Sequence, residues 1–205
     1  MRRPLVGGVW ALALSGNDAC EPCEPGKFSS KTATADCSLA ARGHFVADEG
    51  ATAQKKCAPG KYAPGAGSPE CTDANSGFFV AKPGATAQTA CRAGTFAAGS
   101  ASSTCDRCPA GSYSSDGEAS CTPCAAGFSS SAGAERCTKC PTGTAKPAGA
   151  GDCAPCEKGS FAEAGSDVCK AAEPGYYVDK PRAARQRIRR RPTRFMVIRR
   201  SAPRP

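Results

Sequence analysis

A chain of 205 residues with 15 cysteines carries only 21 Leu, Ile, Val and Phe residues, about a tenth of its length. Below roughly 20% of these residues a chain cannot bury a stable core of its own, so composition excludes a large hydrophobic core and leaves disulfides to hold the fold. The net charge of +9 is uneven: residues 1–181 hold 17 Lys and Arg against 18 Asp and Glu, whereas the last 24 residues hold ten Arg and no acid.

In chain order, residues 1–19 come first. Met1-Arg-Arg-Pro4, an apolar stretch from Leu5 to Leu14 and the triplet Ala11-Leu12-Ala13 are similar to a short signal peptide with its basic, apolar and cleavage regions. The alternative is an unstructured start within a longer gene. No segment of the chain has the ~20 consecutive apolar residues of a membrane helix.

From Cys20 onward the cysteines divide the chain into seven loops: 23–37, 57–71, 91–105, 108–121, 124–137, 140–153 and 156–169. The first three enclose 13 residues and the last four enclose 12. Loops are joined either by two residues or by nineteen, a two-valued spacing that marks internal duplication. A Gly stands three residues after each opening Cys (Gly26, Gly60, Gly94, Gly111, Gly127, Gly143 and Gly159). An aromatic follows in most loops, as Phe28, Tyr62, Phe96, Tyr113, Phe128 and Phe161. The Gly supplies a turn, and the aromatic is expected to open a short strand and cover the disulfide as a miniature core. A second Gly before the closing Cys (Gly99, Gly117, Gly133, Gly165) is expected to complete each hairpin.

The nineteen-residue linkers hold a second repeated segment, Gly43 to Gln54 and Gly77 to Gln88. A third copy starts at Gly175 and departs from the pattern at Arg182, with Arg189 where a Cys is expected. Gly, Pro and Ser interrupt every helical period. The expected fold is therefore small and disulfide-rich: an elongated tandem array of short β-hairpin loops with little helix and no large core. Its expected divisions are 1–19, repeats with long linkers over 20–104, compact repeats over 105–178, and a disordered Arg-rich tail over 179–205.

The segments Cys91-Arg-Ala-Gly-Thr-Phe96 and Cys108-Pro-Ala-Gly-Ser-Tyr113, with the pairs Cys105-Asp-Arg-Cys108 and Cys121-Thr-Pro-Cys124, resemble the ephrin-receptor-like cysteine-rich repeat. That repeat belongs to the wider group of growth-factor-receptor, EGF-like and tumour-necrosis-factor-receptor-like modules. The resemblance covers about residues 20–178. It implies an extracellular or cell-surface stalk or protein-binding region with no catalytic residues and no cofactor. The partner implied is a protein ligand or matrix component.

Two pairings fit the cysteines. Closing each loop on itself gives Cys23–Cys37, Cys57–Cys71, Cys91–Cys105, Cys108–Cys121, Cys124–Cys137, Cys140–Cys153 and Cys156–Cys169, leaving Cys20 unpaired. This is the preferred scheme, because the Gly-aromatic pattern belongs to each loop. The interlaced scheme of EGF-like modules pairs 20–37, 23–57, 71–105, 91–108, 121–137, 124–140 and 153–169, leaving Cys156 over. A rival function follows from the C-x2-C pairs, which could hold zinc in four-thiolate sites of an intracellular protein whose basic tail contacts nucleic acid. His44, the single His, is read as an ordinary exposed residue.

The tail surrounds Phe195-Met-Val-Ile198 with Arg187, Arg189, Arg190, Arg191, Arg199 and Arg200, a possible contact for a polyanion. The alternative is a break in the reading of a longer receptor gene. The leading expectation is a non-catalytic extracellular repeat segment serving as a spacer, adhesion or ligand-binding region.

Overall fold

The computed structural model describes residues 10–11, 21–30, 36–147 and 151–189. Among these there is no helix, and twenty-two strands of two residues each form eleven two-stranded sheets. The first strands of successive hairpins begin at Trp10, Lys27, His44, Lys61, Phe78, Thr95, Ser112, Phe128, Thr144, Ser160 and Tyr176. The step is 17 residues as far as Ser112 and 16 thereafter. This tandem series of short antiparallel hairpins, with seven disulfides, is the small disulfide-rich fold expected from composition.

The period corrects the division of the chain. The nineteen-residue segments are not linkers but hairpins of the same kind, with the same register. Lys61 pairs with Asp73 and Tyr62 with Thr72 in a disulfide-closed hairpin; Phe78 pairs with Ala90 and Phe79 with Thr89 in the next, which has no cysteine of its own. The third copy is also complete. Tyr176 pairs with Ile188 and Tyr177 with Arg187, so residues 179–189 belong to an ordered hairpin rather than to a disordered tail. At the other end Trp10–Ala11 pairs with Glu21–Pro22, one period before Lys27–Phe28.

Local sequence explains why each hairpin starts where it does. Glu24-Pro-Gly-Lys27, Ala58-Pro-Gly-Lys61 and Glu173-Pro-Gly-Tyr176 place Pro second and Gly third in a four-residue turn, the preference of a type II turn. The amides of Lys27, Lys61 and Tyr176 donate to the carbonyls of Glu24, Ala58 and Glu173, each at 3.0 Å. The Gly before each first strand, from Gly26 to Gly175, has φ between +76° and +88°. A second left-handed residue turns the loop seven residues on in the longer repeats (Gly50, Gly67, Gly84, Ala101, Arg182) and six on in Gly117, Gly133 and Gly165. Gly99 therefore does not make the corner expected of it; Ala101 does, at φ 56°.

The described residues fall into two compact units, one within 10–125 and 129–138, the other within 126–128 and 139–189. In the first unit each starting Gly donates its amide to the next hairpin: Gly26 to Val46, Gly43 to Ala63, Gly60 to Val80, Gly77 to Ala97 and Gly94 to Ser114, at 2.7–2.9 Å. In the second unit Gly127, Gly143 and Gly159 do the same to Lys146, Ala162 and Val178, at 2.8–3.0 Å. Each hydrogen bond contributes about 1 kcal/mol net, so stability within a unit accumulates between neighbours as in other repeat proteins.

The core inside this ladder is made mostly of small residues, with Lys146, 1% exposed, the large exception. Opening cysteines Cys23, Cys57, Cys91, Cys108, Cys140 and Cys156 are at most 1% exposed, and so are Ala40 and Ala74, which occupy their positions in the cysteine-less hairpins. Val46, Ala63, Val80, Ala97 and Ala162, three residues after the starting Gly, are also buried. Phe28, Tyr62, Phe96, Tyr113 and Phe161 are half-buried, because a hairpin only two residues wide leaves one side of each ring facing solvent.

Candidate interaction surface

The seven disulfides close each loop on itself, joining Cys23–Cys37, Cys57–Cys71, Cys91–Cys105, Cys108–Cys121, Cys124–Cys137, Cys140–Cys153 and Cys156–Cys169. Their Cα separations of 5.6–5.8 Å lie at the common value for disulfides. The interlaced pairs have no counterpart among the described residues. The four-thiolate zinc alternative loses its ligands, since a sulfur in a disulfide is no longer a thiolate. Among the described residues no group of three or more His, Cys, Asp and Glu is placed to hold a metal ion. Cys20 lies outside the described residues.

The cysteine-less hairpins have a staple that sequence reading missed. Ala40 and Gln54, Ala74 and Gln88, and Ala172 and Gln186 are each fourteen residues apart, the same separation as Cys57 and Cys71. In each, the half-buried Gln side chain reaches across the loop. Gln54 Oε1 accepts from the Ala41 amide at 2.6 Å, Gln88 Oε1 from the Asn75 amide at 2.7 Å, and Gln186 Oε1 from the Glu173 amide at 2.7 Å. A hydrogen bond thus replaces a covalent bridge at the same place. Gln88→Ala is expected to cost about 1 kcal/mol, because the partly exposed Asn75 amide regains water. Faster amide exchange over 74–90, with unchanged exchange in 57–71, checks it.

With the invariant residues used inside the ladder, variation falls on the second strands and loop tips. Lys55–Lys56, Asp106–Arg107, Thr138–Lys139, Lys170–Ala171 and Arg187–Ile188 are exposed pairs at one position of the repeat, alike in backbone and different in charge. His44 is half-buried on a first strand opposite Lys56, and its Nδ1 lies 3.2 Å from the Arg42 carbonyl oxygen.

Two cysteine-less loops enclose shallow concavities. The Gly43 hairpin holds one of about 350 Å³, lined by Asp48, Glu49 and Lys55 among others. The Gly175 hairpin holds one of about 500 Å³ at the corresponding place, lined by Asp179, Lys180, Arg182, Arg185 and Arg187. Of the residues expected to contact a polyanion, Arg187 and Arg189 are exposed at the end of this last hairpin. The others, Arg190, Arg191, Arg199 and Arg200, lie outside the described residues. No helix among the described residues is long and apolar enough to cross a membrane.

No protein-family model matches the chain, and no curated protein matches it.

Proposed function

We propose that the chain is a non-catalytic, extracellular or cell-surface scaffold, a disulfide-stapled repeat segment that spaces or presents binding surface to a protein or matrix partner. One observation carries it: seven loops are each closed by their own disulfide, with the opening sulfur buried. Disulfides of this number persist only in an oxidising compartment, and they stand in for the missing apolar core. Each 13- or 12-residue loop contributes about 3 kcal/mol by restricting the unfolded chain.

The division of labour along the repeat supports a binding role. Backbone hydrogen bonds and buried Cys, Ala and Val hold the ladder, so the exposed second strands are free to differ. The likeness of Cys91 to Cys124 to ephrin-receptor-like repeats belongs to this proposal and rests on those sequence motifs. In this role the half-exposed aromatics contribute contact area beside polar neighbours.

The test is intact mass after thiol alkylation, before and after reduction, with metal analysis of the same sample. Fourteen cysteines blocked before reduction are the expected result. Reactive thiols accompanied by stoichiometric zinc would overturn it in favour of an intracellular metal-binding protein.

A further inference from the structure

We infer that the last described hairpin, Gly175 to Arg189, carries a binding site for a sulfated polysaccharide, centred on Arg182, Arg185 and Arg187. The inference rests on the extracellular reading above, because that compartment makes a sulfated glycan, rather than nucleic acid, the polyanion at hand.

The hairpin is an ordered platform. Its Arg182 amide donates to the Cys156 carbonyl at 2.8 Å, and its Ala183 and Val178 carbonyls accept from Ala162 and Gly159 at 3.1 and 3.0 Å. Gln186 staples the loop from within. The concavity bounded by this loop collects Lys180, Arg182, Arg185 and Arg187 against a single lining acid, Asp179. Arg187 also lines an adjoining concavity with Tyr177 and Arg189. Arg182, Arg185, Arg187 and Arg189 are exposed, and none of them makes an ion pair with another described residue. Guanidinium groups left without carboxylate partners are matched in shape and charge to the paired oxygens of sulfate groups.

The Gly43 hairpin shows what the same loop does without this charge. Asp48 stands where Lys180 stands, Gly50 where Arg182 stands, Ala53 where Arg185 stands and Lys55 where Arg187 stands. Its concavity holds Asp48, Glu49 and Lys55, and Lys55 Nζ is already 3.9 Å from Asp48 Oδ2. One backbone therefore presents an acidic concavity in one copy and a basic one in another. Arg182 adds an independent sign. It holds φ 59° at a corner that six other hairpins give to Gly, and a left-handed non-Gly residue costs about 1–2 kcal/mol. Ala101 shows that a small side chain tolerates the corner, but an exposed Arg there adds charge at the mouth of the concavity. Retained strain of this kind clusters at binding sites.

The experiment titrates the full chain with a size-defined, fully sulfated heparin oligosaccharide at physiological salt. Arg182→Gly, Arg185→Gln and Arg187→Gln are combined in one variant, and Arg190, Arg191, Arg194, Arg199 and Arg200 are changed to Gln in a second. The Gly relieves backbone strain, so the first variant is expected to fold. It should bind roughly tenfold more weakly, the scale of a few exposed charge pairs, and with a shallower salt dependence. Reduced and alkylated protein should lose binding similarly, because the hairpin is docked on the Cys156–Cys169 loop. Three outcomes overturn the site: full affinity in the first variant with loss only in the second, equal affinity after reduction, or tighter binding to single-stranded DNA or phosphatidylserine vesicles. Those results with fourteen blocked cysteines leave the scaffold reading standing; reactive thiols remove both.

Discussion

Gly77→Ala is expected to destabilise its hairpin and the neighbours stacked on it by about 3 kcal/mol. Gly77 has φ +82°, where an L side chain costs about 1–2 kcal/mol. An added Cβ would also sit 2.0 Å from the Gly117 carbonyl oxygen and 2.7 Å from its carbon. Both are backbone atoms of a hairpin two repeats further along, so relief requires the ladder itself to move, at a further cost of about 1–3 kcal/mol. Gly77 meanwhile donates to Ala97 and accepts from the Cys91 amide, both at 2.9 Å, so any shift weakens two hydrogen bonds. Gly99→Ala supplies the control. Nothing lies within 4 Å of its added Cβ, and its φ is not left-handed, so its effect should be within about 0.5 kcal/mol. Denaturant unfolding without reductant, with local amide exchange at 74–97, measures both. Equal stability of the two variants would mean that the close stacking of alternate hairpins is wrong.

The double substitution Ala74→Cys and Gln88→Cys should create an eighth disulfide. Ala74 is fully buried in the place that Cys57 and Cys91 occupy in adjoining hairpins, and Gln88 is half-buried like the closing Cys71 and Cys105. The strand register is the same in the bridged and unbridged copies. A loop of this length gains about 3 kcal/mol on closure, less about 1 kcal/mol for the lost Gln88 hydrogen bond. A net gain of about 2 kcal/mol, present without reductant and absent with it, is the expected result. Intact mass before and after alkylation shows whether the new bridge forms. Two more free thiols in the folded variant than in the parent chain would show that cysteine-less and cysteine-bearing hairpins differ in backbone after all.

Much of this fold is readable in one dimension. Fifteen cysteines with so few large apolar residues demand disulfides, and a Gly at a fixed offset from each opening Cys marks the turn. Those signals are local: a loop of 12 or 13 residues, a Pro-Gly turn and a two-residue strand need no distant partner to be recognised. The Gln staples were legible too, as Ala–Gln pairs at the Cys–Cys separation, but only once the repeat was counted from Gly to Gly. Counting from Cys to Cys hid three of the hairpins as linkers or tail. Arg182 then read as a break, because a glycine was expected at a corner that an Arg can occupy under strain.

By itself, the sequence determined the class of the fold, the hairpin unit and the charge carried by each loop. The tertiary structure decided which of two cysteine pairings is made, because spacing along the chain does not say which sulfurs meet. It also decided what is buried. Narrow strands stacked through Gly amides bury mainly Cys, Ala, Ser and Val, with Thr144 and Lys146 beside them, and leave the aromatic rings half-buried. Finally, it decided that the basic segment begins on an ordered hairpin, since Val178, Ala183 and Arg182 are hydrogen-bonded to the preceding loops. Those contacts lie between residues some 19 to 26 positions apart, and no local pattern announces them.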